Sequence, residues 1–201
     1  MQAGQTMRST DGYEIMLFPM DEMYITQGIH DGYCMDFVGW SPQTGQINRY
    51  PIYAPCSCKC VARSSSGDWQ AFDSLDMVHC ADGVLRYVSF QIGHDNTPQQ
   101  VSATFNQGAL IGHTGTNGQV SGDHLHFNTA GQHFTQPWSH YFNGSIEIYD
   151  CCYVNDTILY RPLSYPWVEY TGPTPPGPTP GTAKKKKFPW YVITSKRLHR
   201  I

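Results

Sequence analysis

Apolar residues along this chain fall into short runs rich in β-branched and aromatic side chains, and turn-forming residues interrupt them every few positions. Val84-Leu-Arg-Tyr-Val-Ser-Phe-Gln-Ile92 reads as the clearest strand, and it delivers His94 at its end, just after Gly93. Tyr13-Glu-Ile-Met-Leu-Phe18 reads as a strand or strand pair stopped by Pro19, with a short irregular segment up to Gly28. Tyr50-Pro-Ile-Tyr-Ala-Pro55 leads into a strand over 56–63, and Trp69-Gln-Ala-Phe72 and Met77-Val-His-Cys80 follow. Turns are expected at 42–45 and 64–67, and Asp82-Gly83 signals a hairpin. Residues 99–121 hold Gly108, Gly112, Gly115 and Gly118, a density that defeats a helix and predicts loop and short strand, with Leu110-Ile111 as the strand. Short closing elements are expected over 138–149 and 151–160, and no internal repeat is visible.

The glycine-rich stretch runs into Ser121-Gly-Asp-His-Leu-His-Phe127. On a strand, residues two apart share a face at roughly 7 Å, so His124 and His126 present two imidazoles side by side while Leu125 and Phe127 face a core. Imidazole binds zinc when neutral and titrates near neutral pH, which suits a metal ligand beside a proton-transfer group. Upstream, His30 and Asp36 flank a turn containing Gly32. Fully extended they would stand about 20 Å apart, so the chain must fold back at Gly32 before both can reach one ion. Taken alone, that pair reads as an ordinary surface turn.

Composition agrees with a mainly β protein: 14% of residues are charged, with 19 glycines and 14 prolines in 201 residues. No apolar run reaches about 18 residues, so no membrane span is expected. Met1-Gln-Ala-Gly-Gln-Thr6 has neither a basic start nor an apolar stretch, so no signal peptide is expected. All 16 acidic residues lie in 1–170 with only 6 of the 13 basic ones, which leaves that part at −10 and argues against nucleic acid as the partner. The other 7 basic residues lie in 184–201, after a Pro/Gly-rich linker over 171–183. This divides the chain into a domain over 1–170, the linker, and a basic, aromatic tail suited either to solvent or to docking on a partner.

Seven cysteines leave at least one thiol unpaired within the chain. Cys56-Ser-Cys-Lys-Cys60 places three thiols on one face of a strand, an arrangement poorly suited to converging on one ion. Buried small apolar side chains, or partial disulfides with Cys80, Cys151 or Cys152, are the simpler readings.

With His30, Asp36, His94 and His124-Leu-His126 in this order, the chain resembles the lysostaphin/LytM-type zinc endopeptidases of peptidase family M23. Tyr50-Pro-Ile-Tyr-Ala-Pro55 stands where that family has its Pro-Val-x-Ala-Pro strand entry. Asn106-Gln-Gly-Ala-Leu-Ile-Gly112 and Gly115-Thr-Asn-Gly118 stand where it has its glycine loop, and Gly122-Asp-His-Leu-His-Phe127 matches its last motif. The resemblance covers about residues 28–130. It departs in three places. Asp123 replaces the usual Pro. Five residues rather than three separate His30 from Asp36, with Asp31 as a competing carboxylate, although a neighbour of His30 would point the other way on a strand. His94 also lacks the usual Tyr-x-His context, although its place at a strand end favours it over His79 or His113.

The resemblance implies an antiparallel β-sheet with a groove walled by glycine-rich loops, of the duplicated-hybrid-motif type. It implies one zinc ion per chain on His30, Asp36 and His126, His124 as general base, and His94 as hydrogen-bond partner of the water or oxyanion. Tyr33, His113 and Asn117 would line the groove. The implied reaction is hydrolysis of peptide bonds in bacterial peptidoglycan cross-links or stems. With the basic tail as a dock for phage tail proteins, the expectation is a bacteriophage product, either a virion tail lysin or a released endolysin. The competing expectation is an inactive relative that serves as a binding or structural tail component.

Overall fold

The computed structural model describes residues 1–134 and 144–172; the tail expected over 184–201 lies outside the described residues. Alternation builds the main sheet. Its long strands are β1 (Glu22–His30), β2 (Cys34–Ser41), β3 (Cys58–Arg63), β4 (Trp69–Ser74), β5 (Ser89–Gly93) and β6 (Leu125–Ala130). They lie in the order β3-β4-β5-β6-β2-β1 and pair antiparallel throughout, and short strands extend the sheet to ten. Of those short strands, Ile158–Leu159 runs parallel to β1 at one edge. Glu14–Ile15 joins a separate three-stranded sheet, and Pro51–Tyr53 pairs with Leu110–His113. Among the described residues the only α-helix is the single turn Ile148–Cys151. The fold is therefore mainly β and dominated by antiparallel pairing, as its composition predicts.

The two faces of β6 divide the molecule's work. Leu125 and Phe127 are fully buried, and their register partners Phe37, Met35 and Ile92 join them in the main core. Phe18 packs edge-on against Phe37 and Phe127 with ring centroids 4.9 and 5.9 Å away. On the opposite face one rung crosses the sheet. Trp69, Gly93, His126, Asp36 and Gln27 are successive register partners on β4, β5, β6, β2 and β1. This rung carries the site.

Three expectations are corrected. The segment read as irregular up to Gly28 is the nine-residue strand β1, hidden in sequence because Thr26, Gln27 and Gly28 follow the buried Met23 and Ile25 and break the apolar alternation. Val84 to Ile92 is two strands, Leu85–Arg86 in the small sheet and β5 in the large one, parted at the exposed Tyr87. Cys56 precedes β3 instead of lying on it, and all seven cysteines are buried free thiols. The hairpin expected at Asp82-Gly83 does join two antiparallel strands, Val78–His79 and Leu85–Arg86.

Candidate metal centre

Asp36 lies on the face of β2 away from Phe37 and Met35, opposite His126 of β6. His30, at the end of β1, reaches the same point because the chain reverses over 31–33, where Asp31, Gly32 and Tyr33 all take the left-handed conformation (φ 38°, 75° and 74°). Register shifts along the β1–β2 pair absorb the extra residues between His30 and Asp36. Asp31 is exposed at the turn, so Asp36 is the carboxylate brought to the histidines.

Three imidazole nitrogens converge on Asp36 Oδ1: His126 Nδ1 at 3.0 Å, His30 Nε2 at 3.6 Å and His124 Nε2 at 3.7 Å. One ligand atom each from His30, Asp36 and His126 lies within 4.8 Å of the other two, and the same holds for His94, His124 and His126. Backbone carbonyls set the tautomers. His30 Nδ1 donates to Gly28 O at 2.7 Å, His94 Nδ1 to Asn117 O at 2.8 Å and His124 Nδ1 to Gly122 O at 2.9 Å. In this tautomer Nε2 carries the lone pair. His126 is turned the other way, with Nδ1 toward Asp36.

Asp36 Oδ1 is buried and lies at contact distance from these nitrogens without forming a hydrogen bond to any of them. A buried carboxylate oxygen left in that state is costly unless a cation completes it. Lone pairs of two imidazoles and one carboxylate meeting at a point is the donor set of zinc. The residues present thus fit the ion that the resemblance implies.

Burial pushes the His94 and His126 pKa values below 6.5 and so favours the neutral rings. Burial works against the charge of Asp36, but the adjacent His126, His124 and His30 outweigh it and hold the carboxyl below its usual range. Both directions favour the deprotonated, ligand-competent forms of His126 and Asp36.

Two further features shape the site. Gly93 leaves a gap in the rung, across which the rings of Trp69 and His126 meet edge to face at 4.5 Å; a Cβ on Gly93 would lie 3.1 Å from His126 Cβ. His94 takes a left-handed backbone (φ 72°), which costs about 1–3 kcal/mol unless the surroundings hold it. Its N–H donates to Asp68 O at 2.6 Å and its carbonyl accepts from Asn117 N–H at 3.0 Å. The His94 and His124 rings then lie 4.6 Å apart. A cleft of 370 Å³ lined by Thr26, Gln27, Val38 and Gln46 opens onto Asp36 and His124.

The structure thus gathers His30, Asp36, His94, His124 and His126 at one point. Asn117, expected in the groove, orients His94 through its carbonyl. Tyr33 is 42% exposed on the turn after His30. His113 has its N–H on Asp95 Oδ2 at 3.2 Å and is absent from both ligand groups. Sequence reading missed Trp69 and Gly93, whose places beside His126 depend on cross-strand register.

No family model matches the chain. It is 35% identical over 174 residues to Morphogenesis protein 1 of Bacillus phage B103, an alignment that covers 81% of this chain and 46% of that protein. The chain thus spans about half the length of this curated relative. Among solved structures, a zinc-containing peptidase from Vibrio cholerae is similar at TM-score 0.43 and 17% identity, over 62% of this chain and 42% of that one. The catalytic domain of lysostaphin from Staphylococcus simulans is similar at TM-score 0.40 and 21% identity, over 68% of this chain and 86% of that one.

Proposed function

We propose that this chain is a zinc-dependent endopeptidase that hydrolyses peptide bonds in the cross-links or stem peptides of bacterial peptidoglycan. The observation that carries the reading is the meeting of His30 Nε2, Asp36 Oδ1 and His126 Nδ1 beside two further histidines whose Nε2 atoms are free. Zinc bound there would polarise the scissile carbonyl and acidify a water molecule. The Gly122 carbonyl holds His124 as a proton acceptor at Nε2, so His124 takes the proton of the attacking water and then returns it to the leaving amine. His94 Nε2 is also an acceptor in the neutral ring; it fixes the water's orientation and donates toward oxygen only once protonated. The cleft beside Asp36 and His124 has the polar, shallow lining that an extended peptide needs.

The name of the phage relative supports placing the activity in a virion, where it would open the host wall during entry. Residues 1–170 would be the catalytic unit, and the basic residues in 184–201 would dock on phage tail proteins. The second reading, an inactive structural component, rests on the same name: a morphogenesis protein can build a particle without cutting anything.

The deciding experiment is digestion of purified peptidoglycan by wild type and His124→Ala, with metal content measured on both. New amino groups from wild type alone, with about one equivalent of zinc in each protein, is the expected result. Zinc in the wild type without cleavage of any wall type would favour the structural reading. Immunodetection in purified particles tests the placement in the virion.

A further inference from the structure

The loops that carry the two non-ligand histidines are far apart in sequence, yet one side chain touches the neighbours of both. Arg49 Nη1 donates to Asp95 Oδ1 at 3.1 Å, to Asn96 Oδ1 at 2.9 Å and to the carbonyl of Thr114 at 3.1 Å, while Nη2 reaches Thr97 Oγ1 at 3.3 Å. The N–H of the same residue donates to both carboxylate oxygens of Asp123, each at 3.2 Å. Asp95 directly follows His94, and Asp123 directly precedes His124.

The network closes on itself. Thr114 Oγ1 donates to Asp123 Oδ1 and accepts from Tyr50 N–H at 2.8 Å. The next residue, Gly115, exchanges two backbone hydrogen bonds of 3.0 Å with His124. Asn96 Oδ1 also accepts the Thr116 N–H at 3.0 Å, and Gln46 Nε2 holds the Asp123 carbonyl at 2.8 Å. The Asp95 side chain is fully buried, so its charge depends on the guanidinium and on the Thr97 and His113 N–H groups. Arg49 itself adopts a left-handed backbone (φ 56°), a conformation held here by the Asp123 carboxylate.

We propose that Arg49, locked by Asp123, is a positioning residue that ties the His94 loop to the His124 loop and so sets the distance between their two imidazoles. A planar fork with several donors in fixed directions can bridge a carboxylate, an amide oxygen and a carbonyl at once; a lysine ammonium holds one point. Asp123 makes the partner half of the clamp.

The kinetic half of the test rests on the peptidase reading, so a second measurement is independent of it. Arg49→Lys and Asp123→Asn are prepared as full-length, zinc-loaded proteins, with zinc content and melting temperature recorded. Long-range ¹H–¹⁵N spectra of the imidazoles report the His94 and His124 tautomers, and hydrolysis of a soluble cross-linked peptidoglycan fragment gives kcat and KM. The expected result is full zinc, a mixed tautomer pattern at His94 and His124, and kcat about 10²-fold lower with KM nearly unchanged. Tautomers identical to wild type in both variants overturn the proposal, whether or not any substrate is cleaved. Lowered stability with kcat and tautomers intact also overturns it, because that is what a merely structural arginine would give. Wild type that cleaves nothing defeats the peptidase reading and leaves the tautomer spectra to judge Arg49.

Discussion

Asp36 and His126 are register partners on β2 and β6, and Asp36 Oδ1 sits 3.0 Å from His126 Nδ1 with no hydrogen bond of its own. Sheet pairing alone places two candidate donors face to face, so register, not nearness to His30 in sequence, selects Asp36 as the proposed carboxylate ligand. Asp36→Asn is therefore expected to lower zinc affinity by at least about 10²-fold, while Asp31→Asn, at the exposed turn, leaves it unchanged. Competition with a fluorescent zinc chelator measures both. Equal losses in the two variants would return Asp31 to the ligand set.

Metal-free protein should lose stability as pH falls from 8 to 5. Burial depresses the His94 and His126 pKa values below 6.5 in the folded state, whereas the unfolded chain titrates near 6.5. Between those values the unfolded state binds more protons than the folded one, so stability is complete above about 6.5 and declines below it, by at most about 1.4 kcal/mol per pH unit for each ring. Asp36, also depressed, contributes in the same direction but only near and below its ordinary 3.8. Urea midpoints across the range give the slope, and a flat profile would mean that the rings are not held neutral.

Much of this was legible in the sequence because the strand period of two is rigid. His124-Leu-His126-Phe127 had to put imidazoles on one face and apolar groups on the other, and it does, although the strand itself begins only at Leu125. His30 and Asp36 were readable as a pair only through Gly32, since the reversal depends on left-handed residues. What stayed hidden is what register and loop contact decide. Trp69 meets His126 only because Gly93 lies between them in the rung. Arg49 meets Asp95 across 46 residues of chain. The polar run Thr26-Gln-Gly28 masked the strand that carries His30, because alternation fails where one face of a strand borders a cleft.

The seven cysteines should behave as inert core. All are buried and unpaired. Burial pushes the Cys60 thiol up to about 11 and the Cys34 thiol up to about 12, and it is the main cause of the rise at Cys56 and Cys58. The thiolate is the reactive form, so almost none is present at neutral pH. Ellman's reagent is expected to find no thiol in the native protein and all seven after denaturation without reductant. Fewer in the denatured state would reveal a disulfide, with Cys80 and Cys151, which lie in contact, the first pair to map.

Two glycines at the site separate a tight fit from a collision. At Gly93 an added methyl would sit 3.1 Å from His126 Cβ and 3.4 Å from the Trp69 ring; the ring can shift by a few tenths of an ångström, and the Cβ moves only with a small relaxation of the paired strand. At Gly115 it would run into the carbonyl oxygen of His94 and the Asn96 side chain, and the first of these is backbone held in a left-handed turn. Gly93→Ala should therefore cost about 1 kcal/mol and Gly115→Ala about 3 kcal/mol or more, within the range for overpacked sites. The second variant should also separate the His94 and His124 loops, since Gly115 exchanges both of its backbone hydrogen bonds with His124. Thermal melting ranks the two costs. Zinc content should stay full in Gly115→Ala if the ion sits on the proposed set of His30, Asp36 and His126, which contains neither His94 nor His124. If Gly115→Ala instead releases the metal while folded, one of those two histidines belongs to the ion.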